Sequence, residues 1–207
     1  MCPRDRDDQT IEYYERSAGH FAEETFALNM EALYEPFLAR LPRGGRILDA
    51  GCGSGRDAAH FTSLGYQVVA FDASPAMVAE ARRRTGLDVR RLTFQEVDFN
   101  EVFDGVWACA SLLHVPHEEM PGILRRLAAA LRYGGVLYAS YKYGEGQRRD
   151  EAGRLFTDYM ETSFEVLLSR VPELSLGQMW ISEDVRPGRK MDRWLNVLLT
   201  RRKKRPC

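Results

Sequence analysis

From Thr10 to Leu41 the apolar positions fall at helical spacing: Ile11, Tyr14, Phe21, Phe26, Met30, Leu33, Phe37 and Leu41. The pattern predicts one or two helices ahead of the first strand, and Pro42, Gly44 and Gly45 end it. Short apolar runs at 46–49, 67–72, 88–92, 105–109 and 135–141 then read as buried strands, alternating with helical patterns at 56–64, 75–85 and 118–133. Alternation of this kind predicts crossover units and a parallel sheet covered on both faces. Beyond a polar loop after Tyr143, the pattern predicts a helix at 156–170 and strands at 174–181 and 193–201. The turn-rich "SEDVRPGRK" joins these two strands as an antiparallel hairpin.

The expected fold is therefore α/β, Rossmann-like, with seven mostly parallel strands, helices on both faces and an antiparallel C-terminal hairpin. No repeat or low-complexity linker divides the chain, and 207 residues suit one domain over 1–207. Within it, 10–42 forms an N-terminal helical lid, 43–143 a cofactor-binding core, and 144–207 a substrate-side loop, helix and hairpin.

A formal net charge of -1 argues against a surface built to coat nucleic acid. The four cysteines, Cys2, Cys52, Cys109 and Cys207, form no CxxC pair, so neither a metal site nor a disulfide framework is expected. The N-terminus has no apolar signal core and no run reaches bilayer-spanning length, which makes the expected address cytoplasmic, away from the membrane.

The chemistry begins at "ILDAGCGSG", where Gly51, Gly53 and Gly55 follow a strand and open a helix. Such a loop lets backbone N–H groups approach a ligand, although a plain tight turn has the same pattern. The next strand, "QVVAFD", ends at Asp72, 23 residues past Asp49, where an acid can accept both hydroxyls of a ribose. A dinucleotide loop reads GxGxxG without an acid before it. Here Asp49 precedes three glycines at alternate positions, which disfavours a pyrophosphate, hence NAD, and suits a cationic amino-acid moiety.

These segments resemble the class I S-adenosylmethionine-dependent methyltransferases. "ILDAGCGSG" is similar to their first motif, "VVAFDAS" to their second, "FDGVWACASLLHV" to their fourth strand and its loop, and "LRYGGVLYAS" to the entry into their fifth. The resemblance covers 46–143, and "GCGSGRDAAHF" is also similar to the tellurite-resistance-type members. It implies S-adenosyl-L-methionine as cofactor and S-adenosyl-L-homocysteine as product. It places backbone of Ala50, Gly51 and Gly53 at the cofactor's amino-acid end, with Gly55 closing the loop, Asp49 near the ammonium and Asp72 on the ribose. Ala73 and Met77 are assigned to the adenine, Ala110 and Ser111 to the methionine portion. Many relatives carry an acid after the third strand for the adenine amino group; here Phe94 and Gln95 occupy that place. "YYERSAGHF" is similar to the lid of small-molecule members, with Tyr13, Tyr14 and His20 as candidate contacts.

Methyl transfer from a sulfonium is an in-line displacement, so the enzyme mainly positions a nucleophile, and a base is needed only for a protonated one. His114, in the loop after the fourth strand, is the candidate base or orienting group, with service to a backbone carbonyl as the alternative. Lys142, Arg148 and Arg154 of one late loop and Arg186 and Arg189 of the hairpin predict a cationic mouth for a small, anionic acceptor, with Tyr143 beside them as a candidate substrate contact on its apolar wall. Tyr141, Phe156 and Trp194 are candidates for its apolar wall. The competing reading is that these cations are paired with Glu145, Asp150, Glu151 and Asp184 at the surface. An RNA or nucleotide methyltransferase, favoured by the basic tail "RRKKRP", and a non-catalytic cofactor-binding module are the other functional readings.

Overall fold

A computed structural model describes residues 8–189 and 191–203. The charged stretch before residue 8, with Cys2, and the end of the basic tail, with Cys207, lie outside the described residues.

Two helices lead, α1 Asp8–Thr25 and α2 Glu31–Leu38. The crossover part follows as β1 Arg46–Ala50, α3 Arg56–Ser63, β2 Gln67–Asp72, α4 Pro75–Thr85, β3 Val89–Arg91 and β4 Phe103–Ala108. Next come α5 Met120–Ala130, β5 Leu131–Lys142, β6 Gly146–Arg149 and β7 Leu155–Asp158. The chain ends in α6 Glu161–Ser169, β8 Leu174–Glu183 and β9 Arg193–Arg201.

Seven strands form one sheet in the order β3-β2-β1-β4-β5-β9-β8. The pairs among β1 to β5 are parallel, whereas β9 runs antiparallel to both β5 and β8. Successive residues of a strand face opposite sides, and here both sides are apolar. Leu48, Val106 and Leu137 enter one core with Phe103, Leu124, Phe164 and Leu195. Their neighbours Ile47, Trp107 and Tyr138 enter the other with Phe37, Phe61 and Leu198. Trp107 and Tyr138 stack with ring centroids 3.9 Å apart.

From β1 the chain moves outward through β2 and β3, then returns to place β4 on the other flank of β1. The strand order thus reverses direction between β1 and β4, and the carboxyl ends at such a reversal are where sheets of this type take their ligands.

Three expectations are corrected. The predicted helix at 156–170 starts only at Glu161, because Leu155–Asp158 is a strand with all four residues buried. The predicted polar loop before it contains β6, which pairs with β7 as a separate antiparallel ribbon. The predicted helix at 118–133 ends at Ala130, where Leu131 already pairs with Phe103 and begins β5.

Candidate functional site

The glycine loop is shaped first by the protein's own packing. Gly51 has φ +75°, and a Cβ there would lie 2.5 Å from the Ser111 Cβ. Gly55 has φ +83°, and a Cβ would lie 2.8 Å from the Thr85 Cγ2 of α4. Both positions therefore require glycine for conformation and for close approach. Gly53, at φ +54°, would meet only Phe21 of α1 at 3.8 Å, so its backbone stands open.

A cavity of about 490 Å³ begins at this loop. At one end it is lined by Asp72, Ala73, Met77, Phe94 and Gln95, and near the loop by Gly51, Gly53, Ala110 and Ser111. Asp72 accepts the N–H of Gly53 through Oδ2 and of Ser74 through Oδ1, both at 2.9 Å. These bonds hold the carboxylate at the end of β2, while burial pushes its pKa up. Ala110 follows β4 with φ +50°, unusual for a residue with a Cβ, and its N–H donates to Ser140 Oγ at 2.8 Å.

Three residues expected at the cofactor lie off the cavity wall. Ala50 is fully buried, and its carbonyl accepts the Ser111 hydroxyl at 2.7 Å. Gly55 faces α4, as described. Asp49 is 2% exposed, with Oδ2 lacking a hydrogen-bond partner. Its carboxyl accepts the Ala58 N–H, and burial together with the nearby Asp57 carboxylate raises its pKa well above the usual range.

Beside it lies a pair that the motif reading passed over. Arg56 grips Asp57 with two bonds, Nε to Oδ1 at 2.6 Å and a terminal nitrogen to Oδ2 at 2.9 Å. Asp57 also accepts Tyr34 Oη at 2.5 Å and Trp107 Nε1 at 2.7 Å, and these donors with Arg56 hold its pKa down despite burial. Arg56 and Asp57 both line the cavity. In the sequence they read as ordinary charges opening a helix; only their position directly after the third glycine signals them.

Helix α1 lies along the cavity and is attached at two points. Glu15 of α1 accepts Ser74 Oγ at 2.6 Å and the Ala76 N–H at 3.1 Å, at the start of α4. Farther along, Thr10 Oγ1 accepts the Leu155 N–H at 2.9 Å, and Tyr13 lies 4.3 Å beneath the Arg154 guanidinium. Tyr14 reaches His114 with its hydroxyl 2.9 Å from Nε2, and Nδ1 stands 2.6 Å from the Leu155 carbonyl. A carbonyl only accepts, so Nδ1 carries the proton and Nε2 accepts from Tyr14. Burial lowers the His114 pKa to about 4 and raises that of Tyr14 to about 12.

Past His114 the cavity continues to Lys142, Arg154, Phe156, Arg186, Arg189 and Trp194. Arg154 is held by Asp150 at 2.7 Å and Arg186 by Asp184 at 2.5 Å. Lys142 sits between Asp184 at 3.3 Å and Asp192 at 3.2 Å, with Nζ 4.2 Å over the Trp194 ring. The two late segments do meet, but the expected cationic mouth is corrected to an arrangement of cations with adjacent carboxylates. Tyr143 and Arg148 lie off the cavity: Tyr143 donates to Glu161 at 3.0 Å, and Arg148 pairs with Asp158 at 2.7 Å.

Among the described residues, no group of three or more His, Cys, Asp and Glu is arranged to hold a metal, and no helix is long and apolar enough to cross a membrane.

The residues present fit the cofactor that the resemblance implies. An open glycine backbone, an acid held at the end of β2 and a buried orphan carboxylate oxygen suit a nucleoside joined to a zwitterionic, cationic tail. Comparison with known proteins agrees. Residues 47–135 match the family described as a methyltransferase domain. Residues 47–135 are thus similar to a methyltransferase domain, and the sheet and glycine loop around them belong to a fold shared with an S-adenosylhomocysteine-bound methyltransferase of known structure.

Among its relatives is a ubiquinone biosynthesis O-methyltransferase of Bradyrhizobium sp. (strain ORS 278), 38% identical over 102 residues, which cover 47% of this chain and 40% of that protein. The chain thus spans less than half of the length of that relative. Burkholderia thailandensis 1,6-didemethyltoxoflavin-N1-methyltransferase, solved with 1,6-didemethyltoxoflavin and S-adenosylhomocysteine bound, superposes with TM-score 0.75 at 26% identity, covering 93% of this chain and 85% of that one. The magnesium protoporphyrin IX methyltransferase of Synechocystis PCC 6803, solved with bound S-adenosylmethionine, shares the fold with TM-score 0.69 at 18% identity, covering 97% of this chain and all of that one.

Proposed function

We propose that the chain transfers a methyl group from S-adenosylmethionine to a small, flat acceptor, neutral or weakly acidic, held between the lid and the C-terminal hairpin. The observation that carries this is one continuous cavity, running from Asp72 and the glycine loop past Tyr14 and His114 to Phe156 and Trp194. The Burkholderia enzyme, which holds S-adenosylhomocysteine and 1,6-didemethyltoxoflavin together, supports the small-molecule reading.

S-adenosylmethionine, when bound, supplies an electrophilic methyl carbon on a sulfonium. The chain's part is to bind, orient and exclude water. Asp72 accepts the ribose hydroxyls, and Ala73, Met77 and Phe94 flank the adenine. Arg56 receives the carboxylate of the amino-acid end through the donors that Asp57 leaves over, and Asp49 balances the ammonium from beneath the wall. Tyr14 and α1 shut the cavity to solvent.

On the acceptor side His114 serves as an orienting group. Its Nε2 lone pair is committed to the Tyr14 hydroxyl, and an imidazole with a pKa of about 4 is a weak base near neutral pH. The Tyr14 oxygen in turn accepts from Arg154, so Tyr14, His114 and Arg154 orient the acceptor as one hydrogen-bonded unit. Such a site suits a nucleophile that already has an available lone pair or ionises in solution. The adjacent carboxylates of the mouth are the reason a strongly anionic acceptor is not favoured.

The test is transfer of labelled methyl from S-adenosylmethionine to a panel of phenols, hydroxyquinones and nitrogen heterocycles, with bulk tRNA as a parallel substrate. Turnover of a flat small molecule, inhibited competitively by S-adenosylhomocysteine, is the expected result. Transfer confined to tRNA, or none to any acceptor, contradicts the proposal. With the best acceptor, kcat/KM should show no bend near pH 6.5 that disappears in His114→Gln.

A further inference from the structure

Beyond the glycine loop, the cavity reaches a face of the sheet whose character changes along its strands. Side chains two residues apart on a strand share a face. On the face where Tyr138 and Leu198 are core, β5 continues to Ser140 and then Lys142. The register sets Asn196 and Trp180 in line with Ser140, and Trp194 and Ser182 in line with Lys142. Ser140, Lys142, Ser182, Trp194 and Asn196 all line the cavity. Asn196 is fully buried on an inner strand, where a polar side chain requires partners. Its Oδ1 accepts from Tyr138 Oη at 2.7 Å, and its Nδ2 donates to Ser182 Oγ at 2.9 Å and to the carbonyls of Trp194 and Trp180 at 3.3 and 3.4 Å. Carbonyl oxygens only accept, so the amide cannot be turned round.

The amide therefore decides what Ser182 can do. Its oxygen accepts from Asn196, so the hydroxyl hydrogen must go to another acceptor, and among the described residues none takes it. Because Ser182 stands in the cavity wall beside Trp194, that hydrogen is a donor for a bound molecule. Lys142 and Arg186 nearby are already paired with Asp184 and Asp192, so this corner has no spare positive charge and suits a neutral oxygen. We propose that Ser182 is the specificity-determining residue of the acceptor end, donating to a carbonyl oxygen of the flat acceptor, with Asn196 as the positioning residue that keeps its hydrogen free. A methylene in that place would leave the hydroxyl unpaired once the acceptor has displaced water. The inference rests on the assignment of this end of the cavity to the methyl acceptor.

The test measures, by equilibrium dialysis on the S-adenosylhomocysteine-loaded full chain, the dissociation constants of 3- and 4-hydroxyacetophenone and of 3- and 4-ethylphenol, in which a methylene replaces the carbonyl. The ratio within a pair, on one preparation, is insensitive to the fraction of folded protein. The wild type should favour the carbonyl member of at least one pair by roughly fivefold, the worth of one hydrogen bond. Ser182 is only partly buried, so Ser182→Ala removes the hydroxyl without opening the core, and should bring that ratio to one or below. Asn196→Asp sets a carboxylate against the Ser182 hydroxyl, draws its hydrogen inward and should lower the ratio in the same way with Ser182 still in place. A merely structural Asn196 would weaken both members of a pair alike, and a ratio lost in Ser182→Ala but kept in Asn196→Asp overturns its positioning role. Wild-type ratios of one or below in both pairs, or a ratio that Ser182→Ala leaves unchanged, overturn the whole inference while leaving the small-acceptor reading intact. Binding of none of these phenols by a chain that holds S-adenosylhomocysteine overturns both.

Discussion

Asp49 occupies a position that costs the fold stability. It is a buried carboxyl with an orphan oxygen, next to a second carboxylate that four donors keep ionised. Its pKa in the folded chain lies above the unfolded value, so its penalty is absent at acid pH and grows as pH rises above the ordinary carboxylate range. Asp49→Asn should accordingly melt higher than wild type at pH 8 and no higher near pH 4, while binding S-adenosylhomocysteine more weakly. Equal melting at both pH values would show that Asp49 bears no such penalty. Arg56 is the opposite case, because its partner cannot be left alone. Arg56→Ala strands the Asp57 carboxylate and should cost about 3–5 kcal/mol in denaturant unfolding. Arg56→Lys keeps the charge but not the two-pronged grip, and should separate a modest loss of stability from a larger loss of cofactor affinity.

Among the elements, α1 distinguishes this cavity from an open crevice, and its two attachments are chemically different. The attachment at Glu15 is polar and exposed, supported by the N–H groups that open α4. The one at Tyr13 and Tyr14 is aromatic and partly buried. Glu15→Ala should speed dissociation of S-adenosylhomocysteine several-fold in stopped-flow measurements, with little change in melting temperature; an unchanged rate would mean the lid is held from its other end alone. The elements also differ in how far the sequence discloses them. The strands β1, β2 and β4 and the helices between them are legible because each apolar run is short and bounded by a glycine, a proline or an acid. The ribbon of β6 and β7 is not. Leu155–Asp158 is buried on both sides by the lid and the loop after β4, contacts that local periodicity does not carry, so it reads as the first turn of α6. At 128–133 an alanine-rich helix runs into Leu131 without a break residue, which hides the start of β5. The cofactor motifs are legible for the same reason as the first strands, being compact and local. The Arg56–Asp57 pair takes its meaning from Tyr34 and Trp107 on other elements and from the wall it lines.

For the whole molecule, the order of the strands makes one ligand crevice, and the lid, the ribbon and the hairpin enlarge it into a cavity with two chemically distinct ends. On the proposed assignment, the donor end is defined by backbone and by Asp72, and the acceptor end by aromatic rings and by cations with their carboxylates. His114 lies between them with its folded pKa below the unfolded value, so the stability tied to its neutrality is present at neutral pH and is lost as pH falls from about 6.5 towards 4. His114→Gln should therefore flatten the acid limb of the stability curve in that window, and an identical limb in both proteins would count against a buried neutral imidazole. Titration calorimetry with S-adenosylhomocysteine tests whether the loop after β1 and the acid ending β2 hold the methyl donor. The wild type should bind one ligand per chain, and Asp72→Ala should bind it roughly 100-fold more weakly, as expected for the loss of two charge-assisted hydrogen bonds to a ribose. Absence of binding in the wild type, or equal affinity in the two proteins, would contradict it.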